Sequence, residues 1–109
     1  MKKLSKEALS EPLFSDHFKK TRVRDGDKEL TTKDYILHLL DQPLKDEPMT
    51  RTLSKQIDNI FDAFDHEEPK LEDADFNYLQ NKIERMNINA KPIFDAVMKV
   101  FDTAEKIQI

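Results

Sequence analysis

The chain has no cysteine, no tryptophan and a single glycine among its 109 residues. Without cysteine it has no disulfide, no thiolate metal ligand and no cysteine nucleophile, a composition compatible with a reducing cytosol. The one glycine, Gly26, cannot supply the glycine-rich loops that wrap nucleotide phosphates, nor the Gly-x-Ser-x-Gly turn of serine hydrolases. These absences exclude the common nucleotide-dependent and hydrolytic enzymes.

Long apolar runs are also missing. No stretch approaches the roughly 20 residues of a membrane-spanning helix, and the start at Met1–Lys6 leads into no hydrophobic signal segment. Charged residues make up 37% of the chain but carry a net charge of only −4, too balanced for a disordered chain. We therefore expect a folded cytoplasmic protein without a membrane partner.

The spacing of apolar residues predicts a mainly α fold, a compact bundle of about five helices in one domain spanning residues 1–109. Residues 1–10 are expected to be frayed, as chain termini often are. Leu13, Phe14 and Phe18 lie at helical spacing, which predicts a first helix here.

The pair Asp25-Gly26 predicts one small β-hairpin or tight turn within residues 22–31, because both residue types tolerate positive φ. Thr31 and Asp34 then have the spacing of a capping box and predict the start of a second helix, with Thr32 as the alternative, a simple N-cap.

Three amphipathic patterns follow and predict helices over residues 49–64, 72–86 and 90–107. Asn89 is the expected N-cap of the last helix. The predicted core is Phe18, Ile36, Leu40, Leu53, Ile57, Ile60, Phe61, Phe64, Phe76, Leu79, Ile83, Ile93, Val97, Val100 and Phe101.

Metal and cofactor chemistry has no support in the pattern. The three histidines, His17, His38 and His66, are scattered and do not pair at metal-ligand spacing. A calcium loop beginning at Asp65 fails at its fifth, sixth and twelfth positions. We predict no enzyme activity, no cofactor, no metal and no catalytic residue.

Acidic residues cluster where one predicted helix ends and the next begins. Asp62, Asp65, Glu67 and Glu68 lie at a helix C-terminus, where negative charge is slightly unfavourable. This placement makes them candidate binding residues for a basic partner protein. Selection for solubility explains the same cluster.

The last predicted helix has two adjacent apolar stripes. Beside the stripe that begins at Ile93, a second stripe contains Phe94, Met98 and Phe101. A central helix explains so broad a surface. A contact with another protein, or with a second copy of this chain, explains it as well, which makes the second stripe a candidate binding surface.

Basic residues are enriched in residues 1–33, where nine Lys and Arg face six Asp and Glu. Lys19, Lys20, Arg22 and Arg24 suggest weak binding of nucleic acid. A solvated surface, or a docking site for an acidic protein, explains the same residues and is favoured. A sequence pI near 5.4 disfavours a dedicated nucleic-acid binder.

The order of these features resembles short accessory proteins encoded by bacteriophages. The matching segments are Asp25–Thr31, Tyr35–Leu40 and Leu71–Phe76, within residues 22–101. The resemblance implies a phage or prophage origin and a non-catalytic role in the host cytoplasm. Such proteins are mostly uncharacterised, so no functional residue carries over.

These observations favour a non-catalytic protein-interaction module, acting in virion or tail assembly. Two alternatives stay open: a small phage inhibitor that binds a host nucleic-acid enzyme through its acidic surface, and a weak nucleic-acid binder that uses the basic N-terminal third.

Overall fold

A computed structural model describes residues 1–107; residues 108 and 109, the last two of the predicted domain, lie outside the described part. About half of the described chain is helical, which is compatible with the predicted mainly α fold. A small three-stranded antiparallel sheet, which was not predicted, is present in addition to the hairpin. The helices are α1 (Lys6–Ser10), α2 (Thr32–Asp41), α3 (Arg51–Ala63), α4 (Asp73–Arg85) and α5 (Lys91–Asp102). The strands are β1 (Lys2–Lys3), β2 (Arg24–Asp25), β3 (Lys28–Glu29), β4 (Lys70–Leu71) and β5 (Glu105–Lys106).

The N-terminal segment is docked, and the prediction that residues 1–10 are frayed is wrong. Strand β1 is the central strand of an antiparallel sheet with the order β4-β1-β5. The Leu4 amide donates to the Pro69 carbonyl at 2.8 Å. Leu4 and Leu9 are buried. Because β1 joins segments from the middle and the end of the chain, it connects the parts of the domain most distant in sequence.

The core surrounds α2, which contacts α1, α4 and α5. Most predicted core residues are buried, while Leu53, Ile57 and Phe61 are half-buried. Of these three, Ile57 and Phe61 pack against the core. Phe18 is the clear error, since 77% of it is exposed.

The predicted first helix around Leu13 is also wrong. Residues 11–14 form an extended segment that lies against the hairpin, with bridges joining Pro12 to Thr31 and Phe14 to Arg22. The Val23 amide donates to the Leu13 carbonyl at 3.0 Å. The segment makes its backbone hydrogen bonds with the hairpin instead of within a helix. The helical spacing of its apolar side chains was therefore not sufficient to make it a helix.

The hairpin of β2 and β3 lies within residues 22–31 as predicted, joined by the two-residue loop Gly26-Asp27. Its turn is shifted by one residue from the expected Asp25-Gly26 centre. Gly26 has φ of +62°, and Asp27 has no positive φ, as in a type II′ turn.

The predicted capping box opens α2. The Thr31 hydroxyl accepts from the Asp34 amide at 3.3 Å, and the Asp34 carboxylate accepts from the Thr31 amide at 3.1 Å. Replacing Thr31 with alanine is expected to lower the free energy of unfolding by about 1 kcal/mol, because an orphan amide loses its partner. Urea unfolding measures this loss, and Thr31→Ser should keep most of the stability. Equal losses in the two variants would contradict a capping role.

The later helices match their predictions except at their ends. Helix α5 stops at Asp102 rather than continuing to residue 107, because Glu105 and Lys106 pair with β1. Its N-cap is Ala90, not Asn89, and it has no side-chain capping bond.

Candidate functional site

Among the described residues, Phe18 has the most exposed large apolar side chain. It lies in a hydrogen-bonded loop over residues 15–21. The Ser15 amide donates to the Thr21 carbonyl at 2.9 Å and closes the loop. Asp16 Oδ1 accepts from the Lys20 amide at 2.9 Å and from the Thr21 amide at 2.7 Å. We name this segment the Phe18 loop.

Hydrogen bonds to backbone amides and one strained residue define the conformation of the loop. The bonds from the backbone amides, led by that of Thr21, hold the pKa of Asp16 below its ordinary value. Lys19 has φ of +58°, a left-handed conformation that is uncommon for residues other than glycine. Such strain persists only where surrounding contacts enforce it. The backbone on both sides of Phe18 is therefore held in a defined conformation.

A cleft of about 550 Å³ lies beside the loop, between residues 11–19 and the first turns of α5. We name it the α5 cleft. Its apolar lining is Pro12, Phe14, Pro92 and Ala96. His17 and Lys19, the neighbours of Phe18 in sequence, also line it. The Phe18 ring is not part of the lining, but it lies edge-to-face with the His17 ring, with centroids 5.8 Å apart.

The predicted acidic surface is partly neutralised within the chain. Lys6 Nζ lies 3.0 Å from Glu67 Oε2, and Lys3 Nζ lies 3.7 Å from Glu68 Oε2. The bond to Glu67 raises the pKa of Lys6. The antiparallel pairing of β1 with β4 brings these opposite charges together. Glu67 and Glu68, which are far from the basic N-terminal residues in sequence, therefore form ion pairs with two of them in the fold.

Asp62 and Asp65 lie apart from those ion pairs. Both are exposed around the C-terminus of α3. Asp62 lines an open cavity of about 560 Å³ together with His66 and Glu68. Of the four predicted acidic residues, these two carry the acidic surface at this end of the helix.

The second stripe of α5 is divided by the fold. Phe101 is buried, and its ring meets the Phe76 ring edge-to-face with centroids 5.5 Å apart. It belongs to the core, as the list of predicted core residues has it, so its second prediction, as a surface binding residue, is corrected. Met98 is half-buried against the core, and Phe94 is 36% exposed. Only Phe94 and part of Met98 could therefore contact a partner.

The predicted basic cluster is divided between the hairpin and the Phe18 loop. Arg22 Nη1 lies 2.7 Å from Glu29 Oε2, and Arg24 Nη2 lies 2.9 Å from Glu29 Oε1. These two arginines are engaged within the hairpin. Lys19 and Lys20 are exposed in the Phe18 loop.

The hairpin and α2, which contain two of the segments that resemble phage accessory proteins, border one cleft of about 570 Å³. Val23, Leu30 and Leu37 line it on the apolar side, and Lys28 Nζ lies 3.7 Å from Asp34 Oδ1 at its edge. The hairpin therefore faces α2 across this cleft.

A partly buried polar cluster, of which only Lys82 is fully buried, lies beside the C-terminal end of α2. Lys82 is 3% exposed, and its Nζ donates to the Leu40 carbonyl at 2.8 Å. Nearby, the Tyr78 hydroxyl donates to Glu47 Oε1 at 2.8 Å. Burial lowers the pKa of Lys82 and raises that of Tyr78. Since Lys82 bonds a carbonyl in the last turn of α2, its evident role is to cap that helix.

Neither Phe18 nor Lys82 was identified as special from the sequence. The polar run around Phe18, Ser15–Thr21, is a signal against burial, whereas Lys82 occupies an ordinary helical position with no distinguishing pattern. Among residues 1–107, no helix combines the length and apolar character needed to cross a membrane. Comparison of the chain with protein-family models, curated proteins and solved structures finds no match.

Proposed function

We propose that this chain is a non-catalytic protein-interaction module that binds its partner stoichiometrically through the Phe18 loop. The observation that carries the proposal is the 77% exposure of Phe18 on a hydrogen-bonded loop. An aromatic side chain buries roughly 150–250 Å² when a partner covers it. Aromatic anchors of this kind commonly dominate the free energy of protein association.

The shape of the loop supports the same proposal. Ordering a flexible segment on binding costs free energy, and a loop that is already ordered avoids much of that cost. The bonds of Asp16 and the closure between Ser15 and Thr21 supply this order. The compact bundle that we propose for the five helices would keep the loop in place.

The resemblance to phage accessory proteins suggests a setting for this module. A small binding protein without catalytic groups suits virion or tail assembly, where subunits join by surface contacts. The absence of cysteine is compatible with the cytoplasm of the host cell as its place of action.

Replacing Phe18 with alanine should remove the binding of a specific partner while the fold is kept, because the side chain is mostly outside the core. The measurement is capture of proteins by the tagged chain from a lysate of the cells that express it. Bands retained by the wild type and absent with Phe18→Ala identify the partner. We expect a loss of at least about 30-fold in affinity for the identified protein, as for a binding hot spot.

Two further variants make the experiment specific. Met49 is 61% exposed and lies outside the Phe18 loop, so Met49→Ala should retain the partner. Asp16→Ala keeps the Phe18 ring but removes the acceptor for two loop amides, and should weaken capture; Asp16→Asn keeps an oxygen acceptor and should weaken it less. The same captured proteins with wild type, Phe18→Ala and Met49→Ala would contradict the proposal.

The first alternative is a small phage inhibitor that binds a host nucleic-acid enzyme through its acidic surface. The exposure of Asp62 and Asp65 favours it. Reversing the charge of these two residues would then abolish partner binding and leave thermal stability intact. Unchanged binding would exclude this alternative.

The second alternative is a weak nucleic-acid binder. An exposed Phe18 next to Lys19 and Lys20 could stack on an unpaired base while the lysines contact phosphates. Retardation of single-stranded DNA or RNA at low salt, lost in Lys19→Glu/Lys20→Glu, would support it. No retardation at low salt would exclude it.

A further inference from the structure

A small cavity of about 290 Å³ lies where α3, α4 and the loop over residues 42–50 meet. Four of its lining residues come from one face of α4, at spacings of i, i+3, i+4 and i+7, and all carry hydrogen-bond donors. They are Tyr78, Asn81, Lys82 and Arg85. Leu44 and Leu53 supply the apolar lining, and the cavity shares no residue with the Phe18 loop or the α5 cleft. We name it the α4 cavity.

The donors on this face of α4 are only partly used within the chain. An ammonium group has three N–H donors, and among residues 1–107 the one hydrogen bond of the Lys82 ammonium goes to the Leu40 carbonyl. No carboxylate of the described chain lies within ion-pair distance of Lys82 or Arg85. Lys82 is 3% exposed, so little solvent reaches its remaining donors. Because a buried donor without an acceptor is costly, an acceptor that enters the cavity is stabilised there.

A carboxylate of the chain itself already lies in the α4 cavity. Glu47, from the 42–50 loop, lines the cavity and accepts a hydrogen bond from the Tyr78 hydroxyl at 2.8 Å. Burial lowers the pKa of Lys82, and the negative charge of Glu47 opposes this effect without forming an ion pair with the ammonium. The bond to Tyr78 also ties the loop to α4. Glu47 therefore marks where an anionic group fits beside these donors.

We propose that the α4 cavity binds a small carboxylate ligand, which displaces Glu47 from Tyr78 and accepts hydrogen bonds from Lys82 and Arg85. Two cationic residues and one carboxylate line the cavity, which leaves one positive charge for a ligand to neutralise. Glu47 acts as an internal competitor that occupies the site while no ligand is bound. A short branched alkyl chain on the ligand would contact the apolar lining. This inference goes beyond the proposed function, since the cavity is separate from the Phe18 loop.

The first test is a titration with isovalerate at constant ionic strength, followed by the amide NMR signals of residues 81–85. Glu47→Gln removes the competing charge but keeps an oxygen acceptor for Tyr78, so it should bind isovalerate at least about 10-fold more tightly than the wild type. Asp46→Asn removes an exposed carboxylate one residue away and should bind like the wild type. Equal affinities of the wild type and Glu47→Gln, or no saturable shift in either, would overturn the proposal.

Variants of the two cationic residues test which groups hold the ligand. Combined with Glu47→Gln, Arg85→Gln should weaken the binding of isovalerate at least about 10-fold, and the exposure of Arg85 makes loss of the fold an unsuitable explanation. Lys82→Met keeps most of the buried stem and should weaken binding by a similar factor. Arg51→Gln, at an exposed arginine outside the cavity, should leave the affinity unchanged. Full affinity in both Arg85→Gln and Lys82→Met would overturn the assignment.

Two further probes of Glu47→Gln test the chemistry of the ligand. Isovaleramide has nearly the same shape as isovalerate but no charge, and should bind at least about 10-fold more weakly. Inorganic phosphate should also bind more weakly, because it offers no apolar group to Leu44 and Leu53. Equal binding of isovaleramide would contradict recognition of an anion, and equal binding of phosphate would contradict selection of a carboxylate.

Discussion

Replacing Leu4 with alanine is expected to lower the free energy of unfolding by about 3 kcal/mol. Leu4 is fully buried and belongs to the core, although it lies only four residues from the N-terminus. Truncation to a methyl group removes apolar contacts and leaves a cavity that the packed surroundings fill only in part. The loss is large because Leu4 follows directly on β1, which holds β4 and β5 together.

Urea unfolding followed by circular dichroism measures this effect. Met49→Ala, at an exposed residue, should change the free energy of unfolding by less than about 0.5 kcal/mol. A loss below about 1 kcal/mol for Leu4→Ala would mean that the N-terminal segment is not docked in solution.

Replacing Lys82 with alanine is expected to cost about 3 kcal/mol as well. The substitution leaves the Leu40 carbonyl without the ammonium donor that lies 2.8 Å from it. It also removes a long aliphatic stem from among α2, α3 and α4, so a cavity adds to the lost hydrogen bond.

Lys82→Met separates the two contributions. Methionine keeps most of the stem and avoids the burial of a charge, so we expect a loss of only about 1 kcal/mol. Urea unfolding of the two variants beside the wild type checks this order. A larger loss in Lys82→Met than in Lys82→Ala would contradict packing of the stem as a major contribution.

The pH dependence of stability gives an independent check on Lys82. Burial lowers its pKa below the ordinary 10.5, against the opposing effects of Glu47 and Asp41. Between the lowered folded pKa and 10.5 the unfolded chain binds more protons, so this group makes stability rise with pH in that window. The free energy of unfolding of the wild type should therefore rise with pH, relative to that of Lys82→Met, within that window.

Above pH 10 a second group opposes this trend. Burial, followed by the hydrogen bond to Glu47, raises the pKa of Tyr78 above its ordinary 10.0. Its contribution to stability is present below pH 10 and decreases as the pH rises further, because the unfolded chain then loses the phenolic proton first. Measurements below pH 10 consequently isolate the effect of Lys82.

The helices are the part of this fold that local sequence determined best. Thr31 and Asp34 form the expected capping box, and α3 and α4 begin and end close to their predicted limits. Capping bonds join residues three apart, and an amphipathic stripe repeats within two turns. Each of these signals lies within a short stretch of sequence, so the helix can be predicted without knowing how the rest of the chain folds.

The sheet and the candidate site required the tertiary structure. A strand of two residues is too short to show the alternating pattern of a β-strand in sequence. Strand β1 (Lys2–Lys3) is such a strand, and its partners β4 and β5 are more than sixty residues away. The same pairing brings Lys3 and Lys6 to the acidic residues, which no local pattern indicates. Long-range backbone hydrogen bonds decided these contacts.

Phe18 and Phe101 show most directly what the sequence could predict and what depended on the tertiary structure. Both are phenylalanines at apparent helical spacing and both were predicted to lie in the core, but only Phe101 is buried there, against Phe76, while Phe18 is left on a surface loop. By itself the sequence determined the mainly helical class, the capping box, the hairpin region and most of the core. Only the tertiary structure decided which aromatic rings are buried, because burial depends on what lies opposite a residue in space.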